Sequence, residues 1–194
     1  MSTIKPAAAA ASHPDLAAGA MRMLAATLLL VIALTPLHTA SAVEEGEPAP
    51  AFSTADGKGK IVNYPADAAG KPSIVLFWAT WCPYCKVAMP RLQEVAEEFA
   101  DQGVRVYAVN TRQRQDRTDP VAHVERLGYD FVVLPNADNV DKLWNVAGVP
   151  GIFVVDADGK VVYRRKPTDE QAGDAIAQEW ADEVRDAVKR SLKK

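Results

Sequence analysis

Cysteine is scarce: two in 194 residues, Cys82 and Cys85. That excludes a disulfide-stapled miniprotein and an all-cysteine structural zinc site, which need more thiols. A basic surplus is lacking too. The net charge of −3 argues against a nucleic-acid-binding protein, so no nucleic acid is expected as partner. Long hydrophobic runs are missing. The uncharged run Met23–Leu34 has 12 residues, against the ~20 that a membrane-spanning helix needs. Histidine is sparse, and beyond residue 42 only His123 remains. What is present is ordinary. A chain 48% hydrophobic and 24% charged is neither disordered throughout nor collagen-like.

The first 42 residues read as an N-terminal extension and signal peptide. Residues 6 to 20 are Ala-rich without apolar periodicity. Arg22 then supplies a positive flank, Met23–Leu34 an apolar h-region, Pro36 a break and Ala40-Ser41-Ala42 a small-x-small cleavage site. A buried core helix is the competing reading, and it explains neither the flank nor the cleavage site. The stretch before Met21 is long for a signal, which points to translation starting at Met21 or Met23. Export to the periplasm follows, with an uncleaved membrane anchor as the weaker alternative. There, cysteine pairs live as disulfides unless something reduces them.

Residues 43–194 show no internal repeat and no second linker, so they read as one domain. Glu44–Pro50 is an acidic lead-in. Strands are expected at Ile61–Tyr64, Ser73–Trp78, Val104–Val109, Phe131–Leu134, Ile152–Val155 and Val161–Tyr163. The unbroken apolar run through Ile74, Val75, Leu76, Phe77 and Trp78 marks a strand buried on both faces. Helices are expected at Pro83–Asp101, kinked by Pro90, and from Pro120 to Gly128 with Asp119 as N-cap. Two more are expected at Asn139–Ala147 and Asp169–Leu192. Asp156-Ala157-Asp158-Gly159 turns a hairpin. The alternation gives an α/β fold with a mixed central sheet flanked by helices.

Chemistry concentrates where the buried strand meets a helix. Cys82 falls at the helix N-terminus, followed by Pro83 at the first helical position. Unsatisfied backbone N–H groups and the helix dipole there favour a thiolate, the species that attacks a disulfide. Cys85 lies one turn on, within reach to resolve a mixed disulfide. A bridge over so short a loop stabilises little, so its value is chemical. Trp81 and Pro83 are expected to shield the pair. A zinc site would want two further ligands, and the domain offers one histidine.

Phe77-Trp78-Ala79-Thr80-Trp81-Cys82-Pro83-Tyr84-Cys85 resembles the active-site signature of thioredoxin-fold proteins. Its Trp-Ala-Thr-Trp form is similar to the exported TlpA/ResA-like branch of thiol-disulfide oxidoreductases. The likeness runs from about Gly46 to Arg165, through Pro48-Ala49-Pro50-Ala51-Phe52, Pro90, Gly148-Val149-Pro150 and Asp156-x-Asp158-Gly159-Lys160. The resemblance implies a thioredoxin-like domain over 43–194. It implies Cys82 as nucleophile, Cys85 as resolving thiol, and a cis proline, Pro150, facing them. Val149 and Pro150 would be the substrate platform, with Trp81, Pro83 and Tyr84 around it. Read without the resemblance, Pro150 is a turn proline whose isomer the sequence does not reveal.

The chain departs from the pattern in places. Leu76 stands where thioredoxins have a buried Asp, Ala108 where they have its Lys partner, and Ala88 where many ResA-like members have a Glu. Gly151 replaces a common Thr after the proline, which could open or loosen the groove. Arg112, Arg114 and Arg117, with Asp116 among them, read as a solvated basic loop. His123 reads as solvent-facing or partly buried. Trp78, Trp144 and Trp180 read as core.

The resulting expectation is an exported thiol-disulfide oxidoreductase whose only redox group is the Cys82–Cys85 disulfide, with no cofactor. The family likeness favours a monomeric reductant of cysteine-containing clients, including apocytochromes in cytochrome c maturation, recharged by a membrane electron donor. The alternative is a thioredoxin-fold copper chaperone binding Cu(I) through Cys82 and Cys85. A peroxiredoxin-like peroxidase ranks last, because Thr80 is one residue out of place.

Overall fold

Period-two alternation along one strand sets the architecture. In Ser73–Trp78 every residue is buried, with Ile74, Leu76 and Trp78 in one apolar cluster and Val75 and Phe77 in another. A strand buried on both faces needs cover on both. The computed structural model describes residues 43–113, 117–168 and 170–193, all within the unit Ala40–Lys194. The expected signal peptide lies outside the described residues. Among these, no helix is long and apolar enough to cross a membrane.

The strands are β1 (Phe52–Ala55), β2 (Ile61–Tyr64), β3 (Ser73–Trp78), β4 (Arg105–Asn110), β5 (Phe131–Leu134), β6 (Gly151–Val155) and β7 (Val161–Arg164). The helices are α1 (Pro83–Glu98), α2 (Pro120–Leu127), α3 (Asp138–Leu143) and α4 (Asp174–Leu192). The main sheet runs β5-β4-β3-β6-β7. Its β5, β4 and β3 are parallel neighbours, while β6 and β7 are antiparallel additions, so the sheet is mixed as expected. Residues of α1, α2 and α4 cover the face of Ile74 and Leu76. The other face is covered by α3, Trp144 and the separate β1–β2 ribbon.

Boundaries moved where tertiary contacts outrank local pattern. β1 was not expected; it exists because Phe52 stacks on Tyr64 across the ribbon, ring centroids 5.1 Å apart. The third helix stops at Leu143, because Trp144 turns inward as its cap and sends its indole N–H to the Pro50 carbonyl at 3.1 Å. α4 starts at Asp174, five residues later than expected, after Gly173 in extended conformation. Pro90 lies inside α1, and Asp119 caps α2 by accepting from the N–H groups of Val121 and Ala122.

Two buried tyrosines make stability pH-dependent on the alkaline side. The Tyr64 hydroxyl shares a hydrogen bond with Ser73 Oγ at 2.9 Å, and burial pushes its pKa well above 10.0. The Tyr163 hydroxyl donates to Glu183 Oε2 at 2.7 Å; burial, then that carboxylate, pushes it up too. A folded pKa above the unfolded one contributes stability that is intact below about 10 and is lost as pH rises towards the folded value. Melting followed by circular dichroism is expected to show the midpoint falling above about pH 10. The Tyr64→Phe/Tyr163→Phe double variant is expected to flatten that fall, and an unchanged slope would refute the assignment.

Candidate active site

Cys82 caps α1. Its φ of −77° and ψ of 114° are extended, Pro83 begins the helix, and Sγ accepts the Cys85 N–H at 3.1 Å. The two cysteines are disulfide-bonded, with Cα atoms 5.2 Å apart. Cys82 is 1% exposed, against 0% for Cys85, and both share one buried apolar cluster with Trp78, Ala79 and residues of α1. Position rather than exposure separates the sulfurs. Only Cys82 sits in front of the helix with a backbone donor aimed at its sulfur, an arrangement that favours negative charge there.

The surroundings of Cys85 are apolar. Leu76 and Ala108 face each other across β3 and β4, both 0% exposed, and with Ala88 they share the cluster that holds the two cysteines. No carboxylate occupies those three positions. His123 is partly buried, its ring 5.8 Å from that of Trp78.

The Val149–Pro150 bond is cis. Pro150 is buried, Val149 half-buried, and both line a cleft that also includes Tyr84. Pro83 is exposed. Trp81 is 47% exposed, and its indole N–H donates to the Arg112 carbonyl at 2.8 Å. A larger hollow of ≈ 430 Å³ lies along α4 by Glu183 and Arg190 and contains neither cysteine nor Pro150.

Arg112 is the residue that sequence reasoning misplaced. It is no solvated loop cation. Its Nε and Nη2 bind Asp141 at 3.1 and 3.3 Å, and Nη2 also donates to the Val146 carbonyl at 2.6 Å. Its N–H donates to Asp138 Oδ1 at 2.9 Å, and its φ is 58°. That left-handed backbone, costing about 1 kcal/mol, lets the carbonyl hold Trp81 while the side chain reaches the proline loop. Arg112 therefore ties Trp81, α3 and the segment leading to Pro150 into one frame. The positive φ leaves no trace in a sequence motif. Arg117 is exposed as expected, while Arg114 and Asp116 lie outside the described residues.

Gly151 neither opens nor loosens the groove. A Cβ there would lie 2.8 Å from Val146 Cγ1 and 3.3 Å from Phe77 Cβ. Val146 occupies the space that a Thr side chain would take. Gly151→Thr is therefore expected to cost about 2 kcal/mol by overpacking. Val146→Ala in the same chain is expected to recover most of that loss in urea titrations; additive losses would sink the explanation.

A cysteine pair at a strand-to-helix turn, in a chain with a cis proline immediately before an antiparallel strand, has known parallels. The AhpC/TSA family profile matches residues 46–164. The chain belongs to that family. Within it, the chain is similar to the thiol:disulfide interchange protein DsbE of Allochromatium vinosum, 34% identical over 175 residues, covering 89% of this chain and 90% of that protein. It is also similar to the thiol-disulfide oxidoreductase ResA of Geobacillus kaustophilus, 34% identical over 122 residues, covering 62% and 68% of the two chains. A crystal structure of a thioredoxin family thiol:disulfide interchange protein from Chlorobium tepidum superposes with TM-score 0.60 at 23% identity, covering 78% of this chain and 99% of that one. The fold is thus thioredoxin-like, and the protein is a thiol-disulfide oxidoreductase of the TlpA/ResA-like kind.

Proposed function

We propose that this oxidoreductase is an exported, periplasmic protein-disulfide reductase in which Cys82 attacks and Cys85 resolves. The observation that carries the division of roles between the two sulfurs is the Cys85 N–H aimed at Cys82 Sγ in the mouth of α1; the reductive direction and export rest on the TlpA/ResA-like resemblance and the leader sequence. In the dithiol form, the Cys82 thiolate attacks one sulfur of a client disulfide, and the client's other sulfur leaves as thiolate. Cys85 then gives up its proton and attacks Cys82 Sγ. The Cys82–Cys85 disulfide forms, the second client thiolate leaves, and two electrons have passed to the client. A membrane-bound dithiol donor restores the pair, and no further cofactor takes part. Val149 supports the client chain through strand-like hydrogen bonds, beside Trp81, Pro83 and Tyr84. The TlpA/ResA-like resemblance supports clients of the apocytochrome c kind.

Redox titration of the 43–194 domain against thiol buffers, with thiol trapping, tests the direction. A two-electron couple below about −150 mV is expected, and a higher value would make the protein an oxidant. Copper stoichiometry on the reduced protein reads the other possibility: Cu(I) held by the two sulfurs with no exchange activity would favour a chaperone. Export is checked by N-terminal sequencing of the secreted protein. A start at Val43 is expected, and one before Ala40 would overturn the cleavage site.

A further inference from the structure

Beside Pro150 lies a cleft of ≈ 280 Å³, walled by Tyr84, Gly148, Pro150, Pro167 and Trp180, with Arg165 as its one charged side chain among the described residues. The Arg165 guanidinium lies 4.9 Å over the Trp180 ring. Its Nε donates to the Pro150 carbonyl at 2.8 Å and Nη1 to the Lys166 carbonyl at 2.8 Å. Among the described residues no carboxylate pairs with Arg165, and none accepts a hydrogen bond from its Nη2. Burial pushes the guanidinium pKa down, so its charge is partly desolvated. The Tyr84 hydroxyl is committed to the Glu170 carbonyl at 2.9 Å. A Cβ at Gly148 would meet nothing within 4 Å, so that wall is open.

We infer that this cleft is a specificity pocket for an acidic side chain, glutamate or aspartate, carried by the client polypeptide near its cysteine. The inference rests on the client-reductase reading above. A desolvated cation with no counter-ion among the described residues gains most from an anion that arrives with its own apolar stem. Arg165 offers the Nη2 edge of its fork to a carboxylate, a charge-assisted geometry that lysine does not reproduce. Tyr84, Trp180 and Pro167 take the methylene groups. The same guanidinium holds the Pro150 carbonyl, so a client strand paired at Val149 passes directly above the pocket. Successive strand residues step about 3.3 Å, which brings neighbours of the client cysteine over the cleft.

The test uses three disulfide peptides identical except for one residue flanking the cysteine: Glu, Gln or Lys. Exchange rates are read for the wild type, Arg165→Glu and Gly148→Leu, with hydroxyethyl disulfide as a substrate that has no flanking residue. The wild type is expected to prefer the Glu peptide over the Gln peptide by about tenfold, the lower range for a hydrogen bond to a charged group. Arg165→Glu is expected to invert the order, favouring Lys. Gly148→Leu fills the cleft and is expected to bring the ratio near one. Equal wild-type rates on all three peptides would overturn the pocket while leaving the reductase reading intact. Activity on hydroxyethyl disulfide alone would overturn both. Because each readout is a ratio within one protein, partial unfolding of a variant does not imitate an inverted preference.

Discussion

Cys82→Ser is expected to abolish disulfide exchange, whereas Cys85→Ser is expected to accumulate mixed disulfides. The two residues are almost equally buried, so access alone predicts no difference. The helix predicts a large one. Cys82 is the cap residue, with Pro83 after it and the Cys85 N–H 3.1 Å from its sulfur. An N–H donor and the helix dipole both stabilise negative charge there, and only the thiolate attacks. Serine at 82 leaves no sulfur at that point. Serine at 85 leaves the attacking sulfur in place and removes the group that would release the client. Non-reducing gels of each variant incubated with a disulfide-bonded client read the result. Mixed disulfides with Cys82→Ser and none with Cys85→Ser would reverse the roles.

Arg112→Ala is expected to cost about 3 kcal/mol in stability and to slow client exchange in the same protein. The substitution leaves Asp141, 7% exposed, without the cation it faces, and leaves the Val146 carbonyl without its 2.6 Å donor. Breaking a buried pair from one side costs about 3–5 kcal/mol, and the partial exposure of Arg112 places this case at the low end. The kinetic effect follows from what the frame holds. Val146 leads into Val149 and Pro150, and the Arg112 backbone carries Trp81. Urea titration reads the first effect and exchange with a protein disulfide the second. Arg112→Lys is expected to recover less than half of either loss, since an ammonium does not reproduce the two-pronged contact with Asp141. A stable, fully active Arg112→Ala protein would remove the frame.

Pattern and position in the chain were legible without coordinates. The apolar run of β3 announced a central strand, and Asp119-Pro120 and Gly128 marked both ends of α2 as observed. Cys82 with Pro83 announced a capped helix carrying two sulfurs one turn apart. Each of these signals sits within a few residues, because caps, turns and burial periodicity are local physics.

Tertiary structure alone decided the rest. Arg112 read as loop because its partners, Asp141 and Val146, lie 29 and 34 positions away. Gly151 read as slack because the side chain filling its place belongs to another part of the loop, Val146. Trp144 was legible as core, but its bond to Pro50 spans 94 positions and was not. The cleft at Arg165 is assembled from α1, the proline loop, the segment after β7 and α4. Sequence periodicity records which face of an element is apolar. Which distant groups then meet is set by strand order and close packing, and local pattern carries no term for either.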